Sequence, residues 1–352
     1  MKQEIIDKIN RLASQDEPFL FVINYQGDKA FIRQLSDINP EECLFDFEGR
    51  GNSSDEMKNN SEKIAEISWQ IAPPLYEDYE RSFGIVKNNI MAGNSYLTNL
   101  TCKVPVSCNL SLEDIFNQAK GKYKLLLRRK RNLTPFVCFS PETFVRIKNG
   151  RIYSYPMKGT LDASLPDAEK LLMEDEKEAA EHATIVDLIR NDLSRVAENV
   201  RVDKYRYIDI LHTNKGDILQ TSSEISGRLP EDYRQHLGEI LDAQLPAGSI
   251  TGAPKDKTMQ IIHEAEGYDR GFYTGIMGIY DQGELNSAVM IRFVEEEASP
   301  SKTEKGKNPE VSRELYFKAG GGITSKSDCR KEYEEVIQKI YLPIQENPSS
   351  EY

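Results

Sequence analysis

Residues 245–255 read Leu-Pro-Ala-Gly-Ser-Ile-Thr-Gly-Ala-Pro-Lys. The stretch opens what reads as a helix. Its glycines let backbone N–H groups come close to an anion, and a helix N-terminus adds favourable partial charge. A second glycine run, Ala319-Gly320-Gly321-Gly322-Ile323, is expected to follow a strand. Neither run has a nucleotide fingerprint, because there is no GxxxxGK[ST] and no GxGxxG between strand and helix. A small carboxylate is therefore the expected ligand.

Working outward, the segments around these loops mix strands and helices without strict alternation, which favours an α+β fold over a doubly wound sheet. Residues 18–34 hold two apolar runs around Gly27-Asp28 and predict a hairpin. Asn149-Gly150 predicts another, ahead of Ile152 to Tyr155. Helices are expected from Tyr76 to about Ile90, at 112–120, over 166–195, from Pro230 to Leu245, and over 328–341 ahead of Pro343. Strands are expected at 135–139, at 289–294 and at 314–318. Two segments, 49–62 and the charged insert 296–310, read as loops.

The composition is that of an ordinary globular protein able to bury a sizeable core: 352 residues, 39% hydrophobic and 29% charged. A formal charge of −12 argues against a non-specific polyanion binder. The basic cluster Arg128 to Arg131 reads as a solvated turn or partner contact, so nucleic acid is not expected. There is no run of about 18 apolar residues and no signal peptide at the start, so neither membrane insertion nor export is expected and the expected location is cytoplasmic. Five scattered cysteines, Cys43, Cys102, Cys108, Cys138 and Cys329, form no CxxC pair and read as reduced. Any metal chemistry must then use carboxylates.

Two segments could carry chemistry. Pro156-Met157-Lys158-Gly159-Thr160 places Lys158 at a strand end. It reads either as a surface lysine or as a nucleophilic amine activated by desolvation or a nearby cation. Glu332 and Glu335 lie three apart on one face of the last helix, with Lys339 one turn on. They read either as a solvated acidic face or, together with Glu181, as oxygen ligands for Mg²⁺.

In this order the motifs resemble the chorismate-utilising enzymes, a family that includes anthranilate synthase component I, aminodeoxychorismate synthase component I and the isochorismate and salicylate synthases. The likeness covers residues 90–341. It rests on Ser140-Pro141-Glu142, Pro156 to Thr160, Asp187-Leu-Ile-Arg-Asn-Asp-Leu193, Pro246 to Lys255, Tyr273-Thr274-Gly275, Ile291-Arg292, Gly320 to Gly322 and the Glu332/Glu335 pair. The resemblance implies two face-to-face antiparallel β-sheets flanked by helices. The N-terminal region 1–89, with its hairpin, would join that fold, and 342–352 would be a tail.

The resemblance also implies roles. Glu181, Glu332 and Glu335 would hold Mg²⁺ against the ring carboxylate of chorismate. Thr251, Gly252, Tyr273, Arg292, Gly320, Gly322 and Lys339 would bind substrate, and Glu142 would serve the C4 hydroxyl. Lys158 would select the branch, since aminodeoxychorismate synthases carry lysine there and anthranilate synthases usually carry alanine. Leu97 stands where the isochorismate and salicylate members use a lysine to activate water, and leucine cannot be a general base.

Two positions depart from the pattern of the amine-adding branches. Leu97 replaces their usual glutamine, and Gln220 stands where they commonly have histidine. No Leu-Leu-Glu-Ser signature of a tryptophan-feedback pocket is present. No fused amidotransferase is visible, so a separate glutamine amidotransferase subunit is the expected ammonia source. The competing expectations are anthranilate synthase component I and a catalytically silent relative.

Overall fold

The computed structural model describes residues 1–53, 67–128, 133–213, 216–299 and 312–344. The segments expected as loops at 54–62 and 300–310, the basic residues 129–131 and the tail from 345 lie outside the described residues.

Eight α-helices are described: α1 Gln3–Ser14, α2 Tyr76–Met91, α3 Leu112–Gln118, α4 Ala168–Glu174, α5 Glu176–Leu193, α6 Leu237–Gln244, α7 Lys255–Glu266 and α8 Cys329–Gln338. The early strands are β1 Phe19–Ile23, β2 Ala30–Gln34, β3 Cys43–Phe47, β4 Arg50–Gly51, β5 Trp69–Ile71 and β6 Leu97–Cys108. The middle of the chain adds β7 Tyr123–Leu127, β8 Phe136–Ser140, β9 Thr143–Lys148, β10 Arg151–Ser154, β11 Met157–Asp162, β12 Glu198–Thr213 and β13 Gly216–Arg228. The last are β14 Gly252–Ala253, β15 Ile276–Asp281, β16 Glu284–Val289, β17 Phe293–Ser299 and β18 Ser312–Ile323.

The chain forms two compact units, each threaded by several chain segments. The first comprises Met1–Asp37, Thr143–Thr258 and Arg270–Val289, the second Ile38–Glu142, Met259–Asp269 and Met290–Tyr352. The first unit carries an antiparallel sheet in the order β11-β13-β10-β9-β16-β15-β1-β2, with β12 also on β13. The predicted hairpin is its β1–β2 edge, Phe19 opposite Gln34. Asn149 and Gly150, both at positive φ, turn β9 into β10 as the Asn-Gly signal requires. The second unit carries an antiparallel sheet in the order β6-β18-β17-β8-β7-β3-β4, with β5 also on β6. Its core joins Tyr79, Phe83, Val86 and Ile90 of α2 to Leu100 and Val104 of β6, Phe317 of β18 and Val336 of α8. The α2 apolar residues recur every three or four positions, so they form one stripe that needs a sheet to cover it.

Three expectations need correction. The helix predicted over 166–195 is two helices. Asp175 ends α4 and caps α5, its carboxylate accepting the Glu178 N–H at 2.9 Å. The glycine run does not follow a strand but lies inside β18, where Gly320, Gly321 and Gly322 pair with Thr101, Leu100 and Asn99. The strand expected at 289–294 is the end of β16, a break, and the start of β17, and β17 continues to Ser299 inside the expected insert.

The β12–β13 hairpin has no counterpart in the sequence reading. Three register shifts interrupt β12 between Glu198 and Tyr207, and each bulge reverses the inward and outward sides. The alternation that marks a strand is therefore scrambled along its length.

Candidate active site

On the first unit, Lys158 is the second residue of β11, where the strand bulges between Lys158 and Thr160 and Gly159 takes a φ of +81°. Thr221 on the facing strand donates its hydroxyl to the Lys158 carbonyl. The half-buried side chain places Nζ 2.8 Å from Glu181 Oε2, and Glu181 Oε1 lies 3.7 Å from Lys177 Nζ. Glu178, one turn before, also crowds this end of β11. Burial pushes its carboxyl above the usual range, against the attraction of Lys158.

Beside Glu181, His182 is fully buried and ties helix to sheet, with Nε2 2.6 Å from Ser223 Oγ. Ser223 is held in turn by β12, since its Oγ accepts the Arg206 N–H at 2.9 Å, and its own N–H donates to Pro156 at 3.0 Å. Burial holds the imidazole down at about 4, so His182 is neutral at pH 7. The tie fixes the turn of α5 that presents Glu181. Sequence reading missed it, because the partner sits 41 residues away.

The first unit also holds three proposed substrate residues. Thr251 is fully buried, its Oγ1 without a hydrogen-bond partner among the described residues. Gly252 takes a φ of +119°. Tyr273 is buried, its N–H donating to the Arg270 carbonyl at 3.1 Å.

On the second unit, Glu142 follows β8 and donates its N–H to Ser140 Oγ at 3.1 Å. Arg292 lies in the break between β16 and β17 at a φ of +55°, its guanidinium 5.3 Å from the Tyr341 ring centroid. Asp328 caps α8, accepting the Lys331 N–H at 3.0 Å, and so starts the helix that carries Glu332, Glu335 and Lys339. Lys339 Nζ lies 2.7 Å from Glu335 Oε1 and 3.1 Å from the Gly320 carbonyl oxygen. The last turn of α8 is thereby fastened to the glycine strand. The side of Gly321 faces the same groups, since a β-carbon there would lie 3.6 Å from Glu332 Oε2 and 3.8 Å from Lys339 Nζ. Glu332, Glu335, Lys339 and Gly320 to Gly322 thus form one cluster. Leu97 packs beside Gly322, where a β-carbon would lie 3.1 Å from Leu97 Cδ1.

The proposed metal carboxylates divide between the units, Glu181 on the first and Glu332 and Glu335 on the second. Among the described residues no group of three or more His, Cys, Asp or Glu side chains is arranged to hold a metal ion. The donor chemistry nonetheless suits a hard cation: all three are carboxylates, and Glu181 and Glu335 each carry a lysine ammonium where positive charge is wanted. No described helix is long and apolar enough to cross a membrane.

Residues 19–345 match the family model for chorismate binding enzymes. An "Uncharacterized PabA-like protein" of Haemophilus influenzae is 46% identical over 97% of both chains. The aminodeoxychorismate synthase component 1 of Salmonella typhimurium is 30% identical over 75% of this chain and 56% of its own length. The anthranilate synthase component 1 of Aquifex aeolicus is 36% identical over 57% of this chain and 38% of its own. Among solved structures, a putative 2,3-dihydroxybenzoate-specific isochorismate synthase of Bacillus anthracis superposes with a TM-score of 0.69, 18% identity and coverage of 96% of this chain and 86% of its own. Anthranilate synthase component I of Streptococcus pneumoniae gives a TM-score of 0.61 and 26% identity, over 78% of this chain and 58% of that one. The α+β fold with two antiparallel sheets is shared with these structures, and the chain belongs to the family of chorismate binding enzymes.

Proposed function

We propose that the chain is an aminodeoxychorismate synthase component I, converting chorismate and ammonia to 4-amino-4-deoxychorismate and water. The observation that carries the reading is Lys158, an amine held at the bulged start of β11 by Glu181 at 2.8 Å. Anthranilate synthases usually have alanine there. Leu97, packed beside Gly322, supplies no base for activating water, so ammonia is the better nucleophile.

In this reading the Lys158 amine, having given up its proton, attacks ring C2 as the C4 hydroxyl leaves with a proton from Glu142. Ammonia then attacks C4, and the ring electrons return to expel the Lys158 amine. Arg292, Lys339, Tyr273, Thr251 and the backbone of Gly252, Gly320 and Gly322 bind the carboxylates. Glu181, Glu332 and Glu335 would hold Mg²⁺, which when bound supplies electron withdrawal at the ring carboxylate. The ammonia would come from a separate glutamine amidotransferase subunit, and the product would serve 4-aminobenzoate and folate synthesis.

The rival reading is anthranilate synthase component I, supported by 36% identity over 57% of this chain. Lys158→Ala separates the two. The proposal predicts loss of amination by a hundredfold or more on the order of other nucleophile deletions, with chorismate still bound. A Lys158→Ala variant that aminates at the wild-type rate would overturn it.

A further inference from the structure

The segment that links α6 to α7 has its two ends joined through buried charges. Lys255 Nζ lies 2.9 Å from Asp192 Oδ2 and donates to the Gln244 carbonyl oxygen, also at 2.9 Å. The Gln244 side chain reaches back, Nε2 donating to the Asp192 carbonyl at 2.8 Å. Gln244 ends α6 and Lys255 begins α7, so residues 245–254 form a loop closed at its base on the C-terminal end of α5. Asp192 and Gln244 are buried, and only 11% of the Lys255 side chain is exposed.

The same carboxylate shapes the loop interior. A β-carbon at Gly248 would lie 3.0 Å from Asp192 Oδ2 and 2.9 Å from Leu188 Cδ2, so only glycine lets the loop lie this close to α5. Farther along, Arg270 donates to the Ile250 carbonyl at 2.9 Å while its guanidinium sits 4.7 Å from the Tyr25 ring centroid. Arg270 is 2% exposed. The residue after Ile250 is Thr251, whose buried Oγ1 has no partner among the described residues. The side-chain ties from Asp192, Lys255, Gln244 and Arg270 hold the base of the loop and Ile250, and the Thr251 hydroxyl beside Ile250 is left for a ligand.

Burying this ion pair is costly, since burial pushes Asp192 up and Lys255 down, each toward its neutral form. Such pairs contribute little net stability against well-packed apolar groups of the same size. Their gain lies in fixing one geometry. Asp192 lies eleven positions after Glu181 on α5, a helical rise of about 16 Å. One rigid helix therefore carries the carboxylate that holds Lys158 and the carboxylate that holds the loop.

We propose that Asp192, Lys255 and Gln244 form a positioning staple that sets the 245–254 loop, and with it Thr251 and Gly252, in register with the Lys158–Glu181 pair, with Arg270 as its second fastening. None of the four needs to touch substrate. The inference rests on the proposed function only in taking chorismate as the ligand of Thr251 and Gly252.

The test is the double variant Asp192→Asn/Lys255→Met, which removes both charges together and leaves no lone buried charge, beside Lys255→Arg as the conservative change. Chorismate affinity is measured at equilibrium, and KM and kcat from turnover with ammonium. The staple predicts chorismate binding and KM weakened roughly 10- to 100-fold in the double variant, as for a binding group misplaced by about 1 Å. It predicts a kcat within about threefold, because Lys158 and Glu181 are untouched, and partial recovery in Lys255→Arg. A folded double variant with wild-type affinity and KM overturns the proposal. So does a double variant that cannot fold, since the pair would then serve stability alone. If the wild type binds chorismate but forms no aminated product, the proposed function fails while the equilibrium measurement still decides the staple.

Discussion

Alanine at Gly320 and at Gly321 should have opposite consequences although the two residues adjoin. A β-carbon on Gly320 would meet the Leu100 carbonyl oxygen and Thr101 Cγ2, each at 2.5 Å. For the pair with Thr101 Cγ2 that is about 1 Å inside the carbon–carbon optimum. Leu100 cannot yield without opening the β6–β18 ladder, in which Gly320 faces Thr101. Thr101 cannot turn away either, because Glu266 Oε1 accepts both its N–H and its hydroxyl at 2.8 Å. Overpacking without relief costs about 2–3 kcal/mol. At about 2–4 °C per kcal/mol for a body of this size, the melting temperature should fall by roughly 4–12 °C. At Gly321 a β-carbon meets nothing nearer than Glu332 Oε2 at 3.6 Å. Stability there should stay within about 0.5 kcal/mol of wild type, as for substitutions free of a named clash. Because that methyl would face Glu332 and Lys339, Gly321→Ala should instead lower turnover. Thermal melting of the two variants beside wild type decides this. A Gly320→Ala protein melting within 2 °C of wild type, by the same conversion of about 0.5–1 kcal/mol, would refute the reasoning.

Three further outcomes are expected. Burial pushes the Cys43 and Cys102 thiols up to about 12, so at pH 7.5 fewer than roughly one in 10⁴ is a thiolate. Both should resist iodoacetamide in the folded protein under conditions that alkylate all five cysteines in denaturant, and rapid labelling of Cys43 would contradict that burial. Glu332→Gln and Glu335→Gln should each raise the Mg²⁺ concentration needed for half-maximal turnover by about tenfold or more, and an unchanged Mg²⁺ titration would remove both from the metal site. Finally, tryptophan should not inhibit, since the chain lacks the Leu-Leu-Glu-Ser signature. A tryptophan titration that suppresses turnover would show that a feedback pocket exists without that signature.

Local signals reached the chemistry further than they reached the topology. Gly27-Asp28 and Asn149-Gly150 marked two hairpins because a turn is decided by the residues within it. Glu332, Glu335 and Lys339 could be placed on one helix face from spacing alone, and the helix forms. The glycine run was legible as a site for close backbone approach, yet its place inside β18 depends on β6, more than two hundred residues earlier. The bulges of β12 erased its alternation. Asp192 and Lys255 each stood in a recognisable motif, but their union is a tertiary fact between a helix end and a loop end. His182 and Ser223, and Arg270 and Ile250, are the same kind of long-range pairing and carry no local signature.

The central claim is tested most directly by incubating the purified chain with chorismate, Mg²⁺ and ammonium at mildly alkaline pH and identifying the products by chromatography and mass. The account predicts a non-aromatic amino product that retains the enolpyruvyl group and is converted to 4-aminobenzoate by an added lyase. Fluorescent anthranilate would contradict the role given to Lys158, and absence of turnover even with a glutaminase partner would mark the chain as a silent relative.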